Sequence, residues 1–223
     1  DTNLNPSSAS LPGGQTVARA ATTVALSSDT PAPALGATVS FSAHIAPVVP
    51  GAGTPTGNVV FSIDGVAQAP VALSGGNASI SRSNLGVGNH VITALYVGDT
   101  DFSSSSGTLS GGQTVSAAAT ATVLNVAPAN PAFGDAATLT ATVSSSGGTP
   151  AGSVIFTINS ADRAPVSLVN GVAELVLPDL AVGSYTLGAR FVASPNYLAS
   201  TATNKAMTVA LGPTTTSITA NPT

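Results

Sequence analysis

The chain of 223 residues lacks cysteine and tryptophan, and only 6% of its residues are charged. The absence of cysteine excludes a disulfide framework and a cysteine nucleophile, although it leaves the cellular compartment open. An ordinary soluble domain is about 25% charged, whereas here five Lys and Arg stand beside nine Asp and Glu, for a net charge of −4. So few cations argue against a nucleic-acid partner, because binding nucleic acid requires many phosphates to be neutralised.

Long apolar runs and helical periodicity are also missing. No stretch of 18 consecutive apolar residues occurs, so the sequence predicts no transmembrane segment in this chain. No basic region followed by an apolar run opens it, so no signal peptide is recognised there. No segment repeats its apolar residues at the helical period between helix caps, which argues against helices.

What the sequence does contain is a tandem repeat. Residues 1–20 reappear in similar form at residues 99–118, and Gly13–Val17 returns unchanged as Gly111–Val115. The repeating unit of about 95 residues has the size of a domain rather than of a solenoid repeat. We therefore predict the C-terminal strand or strands of a preceding repeat at residues 1–20, complete repeats at 21–118 and 119–211, and the first strand of a following repeat at 212–223.

Within both complete repeats, apolar residues alternate with Ser and Thr at a period of two, which is typical of half-buried strands. About seven short strands in about 95 residues indicate an all-β fold, with tandem antiparallel β-sandwiches of the immunoglobulin kind and no disulfide. The predicted inward positions are Val39, Phe41, Ala43, Ile45, Val59, Phe61, Ile63, Ala78, Ile80, Ile92, Ala94 and Tyr96 in the first repeat, and Leu139, Ala141, Val143, Val154, Phe156, Ile158, Ala173, Leu175, Leu177, Leu187, Ala189 and Phe191 in the second. The pair Gly111 and Gly112 is expected to form a bulge at the start of the last strand.

Several motifs recur at fixed spacing, including Gly-Thr-Pro-x-Gly-x-Val-x-Phe and a longer one near the end of each repeat. The longer motif comprises Leu85, Val87, Gly88, His90, Ile92, Ala94, Tyr96, Gly98, Asp99 and Phe102. With these motifs the chain resembles the bacterial immunoglobulin-like domain repeats, which are tandem modules of large secreted or surface proteins. The resemblance implies a non-enzymatic stalk or adhesion module, located outside the cell or on the bacterial surface. The second repeat departs from the motif, because Tyr185 replaces the histidine and Ala193-Ser194 replaces Gly-Asp.

Both histidines have structural and functional interpretations. His44 lies between two inward positions of a strand, so we expect its side chain to face solvent. His90 lies in step with an inward set near a turn, and its replacement by Tyr185 favours a plug with a polar tip at the mouth of the core. Neither position predicts a catalytic residue.

The pair Asp99 and Asp101 forms an Asp-x-Asp loop that is a weak candidate for a calcium site, since Ca²⁺ prefers several oxygen ligands. The second repeat has Ser194 and Asn196 at these positions, and no third carboxylate is near in sequence. A turn held by local Asx hydrogen bonds is therefore the favoured alternative. No cofactor is predicted.

Carbohydrate binding usually relies on exposed aromatic rings. Most of the six Phe and three Tyr fall on inward positions, and Phe102 and Tyr197 are expected to cap one end of each sandwich. Surface glycans are therefore an alternative partner, although the sequence offers few exposed aromatic rings to bind them.

Three functional hypotheses follow. The first is a structural spacer in an extracellular stalk, adhesin or fibre, whose partners are neighbouring immunoglobulin-like domains of the same array. The second is a filament subunit, in which the strand predicted at residues 9–19 completes the sandwich of a like subunit by strand addition. The third is a carbohydrate- or calcium-binding module.

Overall fold

The computed structural model describes residue 2 and residues 4–219, and these residues form β-strands without any helix. The prediction of an all-β chain is therefore confirmed. The described part of the chain divides into two compact units. One is built from residues through Asp29, Ser40–Ser81 and Val91–Gln113, and the other from Thr30–Val39, Arg82–His90 and the residues from Thr114 onward.

Strands occur in both repeats at the positions where apolar residues alternate with polar ones. The first repeat contains β1 (Thr22–Ser28), β2 (Val39–Pro47), β3 (Asn58–Ile63), β4 (Val66–Ala67), β5 (Val71–Ala72), β6 (Asn77–Arg82), β7 (Gly88–His90), β8 (Ile92–Tyr96), β9 (Ser105–Thr108) and β10 (Gln113–Val115). The second contains β11 (Ala121–Ala127), β12 (Ala137–Ser144), β13 (Ser153–Ile158), β14 (Ala161–Asp162), β15 (Val166–Ser167), β16 (Val172–Leu177), β17 (Gly183–Phe191), β18 (Ser200–Thr201) and β19 (Lys205–Val209).

The same sheet topology occurs twice. In the first repeat, a sheet of order β1-β2-β6 accompanies a sheet of order β4-β3-β8-β9, in which β5 also pairs with β3, while β7 pairs with β10. In the second repeat, β11-β12-β16 accompanies β14-β13-β17-β18, in which β15 pairs with β13 and β19 with β17. The central pairs are antiparallel with corresponding registers, since Phe61 faces Ala94 and Phe156 faces Ala189.

The alternating apolar positions form the cores. Phe41, Phe61 and Tyr96 in the first repeat, and Phe156 and Leu187 in the second, are fully buried. In the second unit, one hydrophobic cluster combines side chains from both sheets, which is the arrangement of a β-sandwich. The inward sets predicted from the period of two are thereby confirmed, although Ile63, Ile80 and Leu175 are only half-buried.

The strands are more divided than the predicted seven per repeat. The expected last strand of the first repeat is split into β9 and β10 by a turn in which the amide of Gly112 donates to the Leu109 carbonyl, at 3.0 Å. Gly111 and Gly112 have φ values of +77° and +70°, which glycine adopts without the steric cost of a side chain. Gly111 and Gly112 therefore form a turn between two strand segments rather than the predicted bulge at the start of the last strand.

The two incomplete repeats predicted at the ends form no strand in the described residues. Residues 4–19, which include the strand predicted at 9–19, are exposed. Residues 211–219 carry no strand. The rest of the expected third repeat, residues 220–223, lies outside the described residues. In both complete repeats the last strand position is filled by the repeat's own residues, β9 and β10 in one and β18 and β19 in the other.

Candidate functional site

The loop between β8 and β9 contains the predicted calcium candidates. Oδ1 of Asp99 accepts hydrogen bonds from the amides of Asp101 and Phe102, at 2.8 and 2.7 Å. Oδ2 accepts from the amide and the hydroxyl of Thr56, at 2.9 and 2.6 Å. These bonds, the one from the Thr56 hydroxyl first, hold the pKa of Asp99 well below its usual range. Asp99 therefore acts as an ionised clamp that joins its own loop to the loop at Thr56.

The second repeat forms the same loop without a carboxylate. The amide of Ser194 donates to the Tyr197 carbonyl at 2.9 Å, just as the amide of Asp99 donates to that of Phe102 at 3.0 Å. The carbonyl of Asn196 accepts a hydrogen bond from the amide of Ala118 at 3.0 Å. The carbonyl of Asp101 accepts the equivalent bond from the amide of Ala20 at 2.8 Å. The loop geometry is thus common to both repeats, and the Asx hydrogen bonds of the alternative interpretation are present at Asp99.

A metal site needs more ligands than this loop provides. Within residue 2 and residues 4–219, no group of three or more His, Cys, Asp and Glu side chains is placed to hold a metal ion. Each of the two carboxylate oxygens of Asp99 already accepts two hydrogen bonds from the protein. Calcium binding by Asp99 and Asp101 stays a prediction.

Tyr96, the last residue of β8 before this loop, is fully buried. Its hydroxyl oxygen lies near Asp99 but has no hydrogen-bond partner of acceptable geometry among the described residues, and the Asp99 oxygens already accept from other donors. Burial first, then the negative charge of Asp99 and the approach of its carboxylate to the hydroxyl, raise the pKa of Tyr96 to about 12. A buried hydroxyl without a partner is unusual in folded proteins, and the period of two predicts Tyr96 only as an inward position.

The two histidines occupy the positions expected of them. His44 is exposed on β2, and its Nδ1 lies 3.0 Å from Oδ1 of Asn77 on the neighbouring β6. The half-buried His90 has its Nε2 2.9 Å from the carbonyl oxygen of Gly86. At the same point of the second repeat, the hydroxyl of Tyr185 donates to the Ala181 carbonyl at 2.8 Å. Each ring thus bonds to a backbone carbonyl four residues upstream, as in the tyrosine corner of immunoglobulin sandwiches.

Aromatic side chains are largely internal, as predicted. Phe102 and Tyr197 are 6% and 8% exposed at matching ends of the two repeats. The exception is Phe133, which is 60% exposed and lines a pocket with Val182 and Leu211. This apolar patch was not predicted from the sequence. Its signal there is a phenylalanine before a glycine in a turn, outside any strand with a period of two.

The described residues include no helix long and apolar enough to cross a membrane.

The hydrogen bonds of Asp99, His90 and Tyr185 hold loops and strand ends in place. Asp99 and His90 were predicted as candidates from the sequence, and Tyr185 as the replacement for His90. The pocket residues were not identified.

Comparisons with known proteins agree with this architecture. Among solved structures, domains A168–A170 of titin share 10% identity over 87% of this chain and 66% of that chain, with a TM-score of 0.50. The fibronectin(III)-like modules of Clostridium thermocellum CbhA share 15% identity over 84% of this chain and 94% of theirs, with a TM-score of 0.34. At 10% identity, the likeness to the titin domains concerns the fold alone. No curated protein matches the chain.

The family comparison covers most of the sequence. The model described as bacterial Ig-like domain, group 3, matches residues 24–118 and again residues 124–210. The two matches correspond to the two sets of sheets, so the immunoglobulin-like fold and the resemblance noted in the sequence are confirmed. The chain belongs to the bacterial Ig-like domain family, of which it contains two copies in tandem.

Proposed function

We propose that this chain is a non-enzymatic spacer segment of a bacterial extracellular stalk, adhesin or fibre, and that each repeat carries tension along the chain. Its partners are neighbouring Ig-like domains of the same array, and its location is outside the cell or on the bacterial surface. Family membership supports a structural role, and the way in which each repeat closes supports the mechanical one.

The observation that carries the proposal is a parallel pairing between the two ends of each repeat. Near the start of the first repeat, the amide of Leu35 donates to the Ser116 carbonyl at 2.8 Å, and the amide of Ser116 donates to the Pro33 carbonyl at 2.9 Å. In the second repeat, the amide of Phe133 donates to the Ala210 carbonyl, and the amide of Ala210 donates to the Pro131 carbonyl. The bridges Ala34 with Ser116 and Ala132 with Ala210 are both parallel.

Parallel pairing at the ends determines how a pulling force acts. Tension applied at the two ends of a repeat draws these paired segments past each other in opposite directions. The hydrogen bonds between them are then loaded together in shear, whereas an antiparallel hairpin pulled from one end would open one bond at a time. We infer that each repeat resists extension until the paired ends separate.

Single-molecule extension of the 223-residue chain tests this proposal. We expect two separate unfolding events, each lengthening the chain by about 30 nm, since a residue spans at most ~3.6 Å when extended. Ser116→Pro removes the amide that bonds Pro33 and should lower the unfolding force of one repeat only. Ala210→Pro should do the same for the other repeat, so each variant is the control for its partner. Extension without distinct force peaks would contradict the proposal.

The filament hypothesis requires a strand position that a second subunit can fill. The exposed segment at residues 9–19 offers a donor, but the described sheets of both repeats already include their own last strands. We therefore place assembly by strand addition behind the spacer role, and binding of calcium or surface glycans behind both.

A further inference from the structure

One turn in the second unit shows how the end of a repeat can be covered. Leu35 packs against the hydrophobic core of that unit, and the next residue, Gly36, lies on Gly147. A methyl group built on Gly36 would lie 2.8 Å from the Cα of Gly147, and one built on Gly147 would lie 2.8 Å from the Leu35 carbonyl oxygen and 2.6 Å from Cβ of Ala118. The turn therefore sits in a close-fitting seat formed by Ala118 and Gly147.

The second repeat presents the equivalent turn at Phe133–Gly134. The amide of Leu35 donates to the Ser116 carbonyl, and the amide of Phe133 donates to the Ala210 carbonyl, both at 2.8 Å. Each of the two turns is closed by one further backbone hydrogen bond of 3.0 Å. Phe133 is 60% exposed, however, and beside it Val182 and Leu211 are 48% and 82% exposed. We call Phe133, Val182 and Leu211 the end patch; it is uncharged and lines a pocket of about 460 Å³.

The first repeat presents the equivalent seat. A methyl group built on Gly51 would lie 2.8 Å from Cβ of Ala20, as one on Gly147 would approach Ala118. Around this point lies a groove of about 720 Å³, which we call the end groove. It is lined by Val17–Ala21, Val48–Gly51, Thr100 and Asp101. Val17 and Val49, both 86% exposed, give the groove an apolar wall beside the charged Arg19 and Asp101.

We propose that the end patch of one copy of this chain docks into the end groove of a second copy, with the turn Phe133–Gly134 seated against Ala20 and Gly51. The contact between the turn at Leu35 and the seat at Gly147 is the pattern for this docking. The second repeat has the equivalent turn at Phe133, and the first repeat has the equivalent seat at Gly51. Apolar side chains exposed as a cluster favour association because burying them removes apolar surface from water. The contact is directional, so copies joined in this way form a head-to-tail series. The inference rests on the proposed role in an array and adds the surface through which its copies meet.

Disulfide trapping tests the contact, and the absence of native cysteine makes each introduced thiol unique. One chain carries Val182→Cys beside Phe133, and a second carries Val49→Cys at the end groove. Mixed under mild oxidation, they should form the mixed disulfide about tenfold faster than chains without docking, because docking raises the effective concentration of the two thiols. The matched control pairs Val182→Cys with Val123→Cys, which is 64% exposed on β11.

Two further substitutions identify the surface. Phe133→Ser and Leu211→Ser, each added to the Val182→Cys chain, should return the rate to that of the control. Both residues are exposed, so unchanged melting midpoints will show that the fold is retained. Equal trapping rates at Val49 and Val123, or trapping at Val49 that neither substitution slows, would overturn the proposal. Single-chain extension does not involve a second copy, so failure here leaves the mechanical test to judge the spacer role separately.

Discussion

At the scale of single residues, the two repeats place the same functional group differently. Tyr96 and Phe191 occupy one matching position, and Phe102 and Tyr197 another. In the second repeat, the hydroxyl of Tyr197 donates to the carbonyls of Gly147 and Thr149, at 3.2 and 3.3 Å. In the first repeat the hydroxyl belongs to Tyr96, where it is buried without a partner. The hydroxyl is therefore hydrogen-bonded in the second repeat and without such a bond in the first.

Exchanging these side chains should change stability in opposite directions. Tyr96→Phe removes an unpaired buried hydroxyl and should raise the free energy of unfolding of the first repeat by about 1–2 kcal/mol. Phe191→Tyr introduces such a hydroxyl and should lower that of the second repeat by a similar amount. Urea denaturation of both variants measures the two effects. A loss of stability in Tyr96→Phe would show that the hydroxyl is bonded to Asp99 after all.

The raised pKa of Tyr96 predicts a loss of stability in alkali. This tyrosine ionises near pH 10 in the unfolded chain and at about 12 in the folded one, so below pH 10 both states keep the proton and stability is at its full value. As the pH rises from 10 through 12, only the unfolded state releases the proton, and the free energy of unfolding falls. Unfolding of the first repeat should depend on pH in this window in the natural chain, and Tyr96→Phe should remove the dependence. The difference in ultraviolet titration between the two proteins measures the ionisation directly.

Asp99 predicts the opposite dependence, in acid. Its folded pKa is depressed by hydrogen bonds from Thr56 and from the backbone, so its contribution is present above its unfolded pKa of 3.8. The contribution falls away below that pH as the folded carboxylate takes up a proton. Asp99→Asn should destabilise the first repeat at neutral pH and flatten its acid profile, measured by thermal melting at graded pH. The second repeat, with Ser194 there, is the internal control, and an unchanged profile in Asp99→Asn would contradict the assignment.

At the scale of elements, two different side chains make the same hydrogen bond near a strand end, His90 in β7 and Tyr185 in β17. His90 and Tyr185 each bond a carbonyl four residues upstream, at 2.9 and 2.8 Å. Tyr185→Phe should cost the second repeat about 1 kcal/mol, the typical net value of one hydrogen bond. His90→Tyr should be tolerated, whereas His90→Phe should cost the first repeat a similar amount. Chemical denaturation of the three variants decides, and equal stability of His90→Tyr and His90→Phe would exclude a contribution from the corner bond.

Sequence periodicity predicted the strands because alternation is a local property. Residues such as Val39, Phe41 and Phe156 turn inward wherever a strand forms, whatever it pairs with. The breaks were not predictable in this way. Between β7 and β8, the amide of Val91 donates its hydrogen bond to a carboxylate 27 positions away, at Asp64. The partner of Asp99 was missed for the same reason, since Thr56 lies 43 positions earlier. Contacts between loops depend on how strands associate, which period and spacing do not encode.

At the scale of the whole chain, the two repeats share a backbone framework while their side chains differ. The loops at Asp99 and Ser194, the corners at His90 and Tyr185, and the parallel pairs at the repeat ends all keep equivalent hydrogen bonds. A framework that tolerates such exchanges can be repeated in series while its surfaces vary. This property suits a structural array, in which each module must fold from its own residues.

Core truncation tests whether the modules fold in this way. Phe61 and Phe156 are fully buried at matching positions of β3 and β13. Replacing either with alanine should lower the free energy of unfolding of its own repeat by about 3–5 kcal/mol, through lost burial and the cavity left behind. The other repeat should change by less than about 0.5 kcal/mol, the range within which independent sites add, because each phenylalanine pairs within the sheet of its own repeat. Calorimetry of both single variants and the double variant measures this. Equal losses in both transitions after either substitution would mean that the repeats unfold as one cooperative body.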